Sequence, residues 1–134
     1  MQIRKQNGFT LVEIAIVLVI VGLLIGGVLK GQEMITNAKL KRVESDNAGL
    51  QAGIFSYQDR YLQLPGDDDD ANTRFDAAPP DGDGNGAIAG NWQIPLATDE
   101  TGYFWRHLRA SGLVNGDPAD AAPQQNAYGG KIGI

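Results

Sequence analysis

Three groups of residues have types and spacings that could do chemistry. Glu13 carries the only charge between Phe9 and Leu29, a run of 21 residues that is otherwise apolar or small. A carboxylate there costs roughly 2.5 to 3.5 kcal/mol to bring into a bilayer, so it calls for a cationic partner or must snorkel to the interface. The second group is Asp81-Gly82-Asp83-Gly84-Asn85-Gly86-Ala87-Ile88. Its oxygens fall at the first, third and fifth places of a calcium loop, with Gly86 at the sharp turn, a carbonyl from Ala87 and an apolar Ile88 next. The twelfth place is Trp92 instead of a bidentate Glu. Glu100, Asp99 or one of Asp67 to Asp70 would have to supply that carboxylate from outside the loop. The competing reading is a solvated Gly/Asp turn. The third candidate is His107, the single histidine in a chain without cysteine. It has no partner base or nucleophile in any recognisable catalytic set, so packing or surface is expected of it, and no enzyme is read here.

The elements that must position these groups follow from patterning. The run from Phe9 matches the length of about 20 apolar residues that crosses a bilayer as a helix. Within it Gly22 and Gly26, then Gly27 and Gly31, lie four apart, a spacing that lets helix backbones approach closely in lipid. The same glycines weaken the helix by about 1 kcal/mol each relative to Ala, so local unwinding between Gly22 and Gly27 is the alternative. Beyond Gly31, Val43, Leu50, Ile54, Tyr57 and Tyr61 form one amphipathic stripe, which continues the helix. Leu64-Pro65-Gly66 is its expected end.

Asp67 to Gly90 has the composition of a loop. A short helix is expected through Tyr103, Phe104, Trp105, Leu108 and Ala110, capped by Thr98 or Asp99 and stopped at Gly112. Phe104, Trp105 and Leu108 share its buried face, and the aromatics in general, Trp92 included, are read as core. The segment from Tyr128 to Ile134 is expected to begin a strand or hairpin. Few other strand-like runs are present, so either the strands are very short or the chain continues past Ile134.

Net charge is -5 over 134 residues, unevenly spread. Lys30, Lys39, Lys41 and Arg42 follow the apolar run; Lys39, Lys41 and Arg42 are expected to pair with Glu33, Glu44 and Asp46 or with a neighbouring chain, the alternative being contact with DNA or anionic lipid headgroups. Between Asp67 and Glu100 nine acidic residues face Arg74 alone, a charge balance that argues against a nucleic-acid surface on the head. Asp67 to Asp70 themselves are read as a solvated run.

Lys5-Gln6-Asn7-Gly8 followed by Phe9-Thr10-Leu11-Val12-Glu13 resembles the processing site of type IV pilins and of type II secretion pseudopilins. The basic leader precedes the apolar segment, so cleavage would retain that segment, unlike a secretory signal. The resemblance implies cleavage after Gly8 by a prepilin peptidase and methylation of the new amino terminus on Phe9. It makes Phe9 and Glu13 assembly residues, together with Gly22 and Gly26 on the close-packing face. After cleavage the Phe9 α-amine, with a reference pKa of about 7.7 to 8.0, is the nearest cation for Glu13. Charge around the span favours the opposite orientation, but the peptidase acts on the cytoplasmic side, which puts residues after Leu29 outside. Many relatives carry a proline near the end of the span, where this chain has Lys30.

The fold so implied is α+β and pilin-like. Residues 1–8 are a leader, 9–30 a transmembrane and assembly helix, 31–61 an amphipathic half, and 62–134 a small head with few short strands and an acidic loop. Function is expected to be structural, as copies of the chain pass from lipid into a helical filament. An inner-membrane platform and a cytoplasmic ATPase are the partners implied by family. Localisation is then the bacterial inner membrane before assembly and a periplasmic or cell-surface filament after it. Alternatives are a pseudopilin of a short periplasmic pseudopilus that drives export, a minor tip pilin that binds DNA or a surface, and a membrane-anchored calcium-binding domain. A membrane-anchored hydrolase is discounted, because no nucleophile, base and orienter are visible.

Overall fold

The computed structural model describes residues 8–134, so the leader expected at 1–8, with Arg4 and Lys5, lies outside the described residues except for Gly8. Three helices occur in chain order: α1 (Leu11–Tyr61), α2 (Ala71–Arg74) and α3 (Glu100–Ala110). The chain divides into two units, one ending at Ala38 and one running from Lys39 to Ile134.

Among the described residues the first unit is helix from Leu11 onward. Helical geometry is kept through Gly22, Gly26, Gly27 and Gly31. A methyl group added to any of these glycines would meet nothing within 4 Å, so none of the described residues packs on that face. Every large apolar side chain from Phe9 to Leu29 is exposed. An 18-residue window here has mean hydropathy 2.8 with none of it buried, which is long and apolar enough to cross a membrane. Such a surface is stable only against lipid or against other apolar helices.

The second unit holds the core. Leu50 and Tyr57 from α1 meet Phe104, Trp105 and Leu108 from α3, with Ile54, Tyr61, Phe75, Ile88, Leu113, Val114 and Ile132 packed around them. Of the stripe read along α1, Leu50 and Tyr57 are buried and Val43, Ile54 and Tyr61 partly so, and the three apolar residues expected on α3 are all buried. Trp92 departs from expectation. It lies on a surface loop and stays exposed, because no helical period ties it to the core.

Helix α1 stops at Tyr61, earlier than Pro65. Leu62 adopts a left-handed backbone with φ 58°, and its N–H still closes on Gln58 O at 2.8 Å. Pro65 keeps the residue before it out of helical geometry, and the buried Pro65-Gly66 turn carries the chain back onto α3. Asp99 is the N-cap residue of α3; its carbonyl accepts from Gly102 N–H at 2.8 Å and Tyr103 N–H at 3.0 Å, with no cap bond from its side chain. Gly112, with φ 72°, follows the helix as a left-handed stop.

The strands expected in the head reduce, among the described residues, to one isolated antiparallel bridge between Gln125 and Lys131. It belongs to a tight hairpin closed by Asn126 N–H to Gly130 O at 2.8 Å and Ile132 N–H to Gln124 O at 2.9 Å. After Leu62 the one alternating apolar run, Trp92-Ile94-Leu96, is interrupted by Pro95, which has no N–H to give a ladder.

Helix α3 touches the preceding loop through Gly102, where an added Cβ would lie 2.1 Å from Leu96 O. Gly102→Ala must push that loop off the helix. Overpacking of this kind costs about 1–3 kcal/mol, to be read as a lowered denaturant midpoint of the full chain in detergent micelles; an unchanged midpoint would refute this close approach.

Candidate functional site

Two places concentrate polar chemistry. The first is the start of α1. Thr10 precedes the helix, its Oγ1 accepting from Glu13 N–H at 3.2 Å, while Glu13 Oε2 accepts from Thr10 N–H at 2.8 Å and from Thr10 Oγ1 at 2.9 Å. This is a reciprocal capping box, which satisfies donors that the first helical turn leaves open. Nothing in hydropathy singles out Thr10, but the T-x-x-E spacing does. Glu13 thus has a local role before any other chain arrives. Gly8 and Phe9 are exposed and non-helical, so the peptide bond between them lies outside the helix.

The second place is the acidic region of the head. The Asp81 to Gly86 loop lies against the turn at Asp67, with Gly82 N–H on Asp68 O at 2.8 Å and Gly84 N–H on Asp67 O at 3.0 Å. A Cβ at Gly82 would come within 2.5 Å of the Asp67 backbone, so this approach requires glycine. Asp67 turns its carboxylate into the loop, Oδ1 accepting from Asn85 N–H at 2.9 Å and Oδ2 from Gly86 N–H at 2.7 Å. Glu100, at the start of α3, reaches the same loop from the other side. Its Oε1 accepts from Asp83 N–H at 3.0 Å and its Oε2 from Ala89 N–H at 2.7 Å.

Carboxylate oxygens of Asp67, Asp83 and Glu100 lie within 4.8 Å of one another, a grouping that could hold a metal ion. Asp67 and Glu100 are buried and Asp83 is exposed. Each oxygen bonded to one backbone N–H keeps a lone pair for a cation, and hard oxygens suit a hard cation. Of the residues that the loop pattern suggested, Asp83 and Glu100 meet here. Asp81 instead accepts from Asn72 N–H at 2.6 Å, and Asn85 Oδ1 accepts from Ala87 N–H at 2.8 Å, which leaves the Ala87 carbonyl outside that bond.

The expectation of a solvated Asp67 to Asp70 run fits Asp69 and Asp70 only, since Asp67 and Asp68 are buried. Asp68 is fully enclosed and paired with Arg74, while Tyr57 Oη–H donates to its Oδ2 at 2.6 Å. Burial, then the adjacent Asp68, pushes the Tyr57 phenol far above its ordinary pKa, so it remains a donor. Arg74 also lies over the Tyr61 ring at 4.8 Å. On α1, Arg42 meets Asp46 at 3.8 Å and Lys30 meets Glu33 at 2.8 Å, while Lys39 lies over the Tyr128 ring at 5.4 Å.

His107 is wholly buried between the rings of Tyr57 and Tyr103. Its Nδ1 accepts from Gly66 N–H at 2.9 Å, which places the proton on Nε2 and makes that nitrogen the donor to Pro80 O at 2.7 Å. The ring therefore joins the turn at Gly66 to the segment that leads into the acidic loop.

Comparison with known families matches residues 3–29 to the prokaryotic N-terminal methylation motif. That motif is the signature of type IV pilins and pseudopilins, and it implies processing by a prepilin peptidase and self-assembly. No curated protein and no solved structure matches the chain.

Burial holds His107 below its ordinary pKa, against the opposing pull of Pro80 O, Asp68 and Asp81. The unfolded imidazole then takes up a proton at a pH where the folded one does not. Stability is full above about pH 6.5 and falls as pH drops, by at most about 1.4 kcal/mol per unit for one proton. The same pH series on His107→Gln should lose this part of the slope, and an identical slope in both proteins would remove His107 as its source.

Proposed function

We propose that this chain is the structural subunit of a type IV pilus-like filament, cut after Gly8, methylated on Phe9 and polymerised through α1. The observation that carries the reading is the motif at residues 3–29 leading into an apolar helix with no buried side. In the bilayer lipid covers that helix; in a filament the helices of other copies would. Gly22 and Gly26, open in the single chain, let a second backbone approach. A platform protein and an ATPase would supply the work of extraction.

Glu13 has two duties in this reading. Within one chain it completes the capping box with Thr10; between chains its charge meets the methylated amine of Phe9 and sets the register of one helix against the next. A buried pair of this kind specifies geometry more than it adds stability. The two duties separate by substitution, because Gln can complete a capping box without a charge. Glu13→Ala and Glu13→Gln should both be cut after Gly8 and both fail to enter filaments, as read by immunoblots of sheared fractions. Normal entry of Glu13→Gln would leave capping as the only duty.

The acidic triad supports calcium in the head, held by Asp67, Asp83 and Glu100, with Asp81, Asn85 and Ala87 close by in the loop. Three carboxylates so close repel one another unless a cation neutralises them, and calcium's remaining ligands would be carbonyls and water. This same triad favours, as a second reading, a pseudopilin whose head is stabilised by calcium during export. At 100 times its Kd a ligand adds about 2.7 kcal/mol, which raises the Tm of a domain this size by roughly 10–20 °C. Calcium should therefore raise the Tm of the full chain over that in chelator, and Asp67→Asn or Glu100→Gln should abolish the rise; equal Tm in calcium and chelator rejects the ion.

A further inference from the structure

The second unit presents an apolar loop that its own backbone holds in place. Trp92, Ile94 and Leu96 alternate along Asn91 to Ala97 and are exposed by 42%, 66% and 53%. Such residues on a slack loop would collapse or fray, yet this one is pinned throughout. Ile94 N–H bonds Asn91 O at 3.1 Å, Gln93 N–H bonds Asn91 Oδ1 at 2.9 Å, and Asp99 N–H bonds Leu96 O at 3.2 Å. The C-terminal hairpin adds a brace, with Lys131 Nζ on Gln93 O at 3.0 Å and the Gly133 backbone against the Trp92 ring, where a Cβ would come within 2.7 Å. At its other end Leu96 O rests on Gly102 of α3. Ordered apolar side chains held outward, with an exposed Trp among them, are what a binding surface requires.

A different surface of the same unit sets two exposed apolar side chains beside a polar, acidic groove. Phe55, exposed by 68%, and Leu62, exposed by 88%, lie outside the buried stripe of α1. Leu62 and Leu64 border a groove of about 390 Å³ whose other walls are polar, with Gln58, Gln63, Asp67 and Asp69 among them, and to which the Trp92 loop contributes no residue. Asp69 lines this groove and is exposed, and Asp59, exposed on α1, lies four residues after Phe55 and three before Leu62, whereas Lys131 stands at the edge of the Trp92 loop. The two surfaces thus differ in shape and are complementary in charge.

We infer that the Trp92-Ile94-Leu96 loop of one copy docks on the next copy's α1 surface at Phe55 and Leu62, with Lys131 reaching the acidic groove beside Leu62. This rests on the filament reading. An interface in which both copies use the same patch closes at a dimer, whereas two different patches on each copy propagate an open helical array. The unit carries such a pair, with Lys131 facing Asp59 and Asp69 across the contact.

The chain has no cysteine, so disulfides report introduced pairs only. Full-length chain carrying Leu62→Cys with Ile94→Cys should, after mild oxidation of sheared filaments, run as a ladder of dimers, trimers and larger species that reductant collapses. Each single variant should stay monomeric. Filaments of the double variant without a ladder overturn the docking, as do dimers of Ile94→Cys alone. A second test needs no oxidation: Lys131→Glu should lose sheared filaments and Asp59→Lys in the same chain should restore them, while undiminished filaments in Lys131→Glu also overturn it. Partition of the Trp92 loop into lipid vesicles of the unsubstituted chain's own membrane composition, with no ladder, would assign the loop to lipid instead. Absence of any filament from the unsubstituted chain is a separate result, which overturns the filament reading itself.

Discussion

An apolar helix with no buried side is the constraint on which the rest depends. Among the described residues nothing covers the large apolar side chains from Phe9 to Leu29. Burial of apolar area contributes about 25 cal/mol per Å², so leaving such a helix in water is untenable. Lipid or copies of the same helix must cover it. Glu13 is the one charged group in that stretch, and its capping contact with Thr10 satisfies the carboxylate within the chain, whichever of the two covers the helix.

The head solves a different problem. With a single isolated bridge and no ladder among the described residues, its loops cannot satisfy their backbone by pairing strands. Buried carboxylates satisfy it instead. Asp67 and Glu100 each accept two backbone N–H groups from the 83–89 segment, and Asp68 holds Tyr57 and Arg74. His107 does the same for Gly66 and Pro80. Unpaired donors buried in a small domain are costly, and side chains that satisfy them fix the loop as firmly as a sheet would. The same carboxylates, gathered to hold backbone, leave lone pairs directed toward one another.

Features that depend on local pattern were legible in the sequence. The apolar run, the stripe from Val43 to Tyr61, the buried face of α3 and its Gly112 stop each follow from periodicity or from a residue's own backbone preference. The methylation motif was legible for the same reason, being contiguous. Much of the acidic site was legible too, since Asp83 belongs to a spaced loop pattern and Glu100, with Asp99 and one of Asp67 to Asp70, was a candidate for its missing carboxylate. What was not legible is non-local. Asp67 and Asp68 read as solvated because nothing in a run of four aspartates tells which two turn inward; the turn at Pro65-Gly66, folding back onto Phe104, decides it. Trp92 read as core by type, whereas the hairpin brace that holds it at the surface lies about forty residues away, too distant for periodicity to reveal.

The central claim is that this chain is cut, methylated and delivered into a filament. Intact-mass spectrometry of membrane and sheared-surface fractions tests it most directly. A filament subunit predicts, in the sheared fraction, a mass lacking Met1 to Gly8 and heavier by one methyl group; the unprocessed mass in every fraction would contradict it.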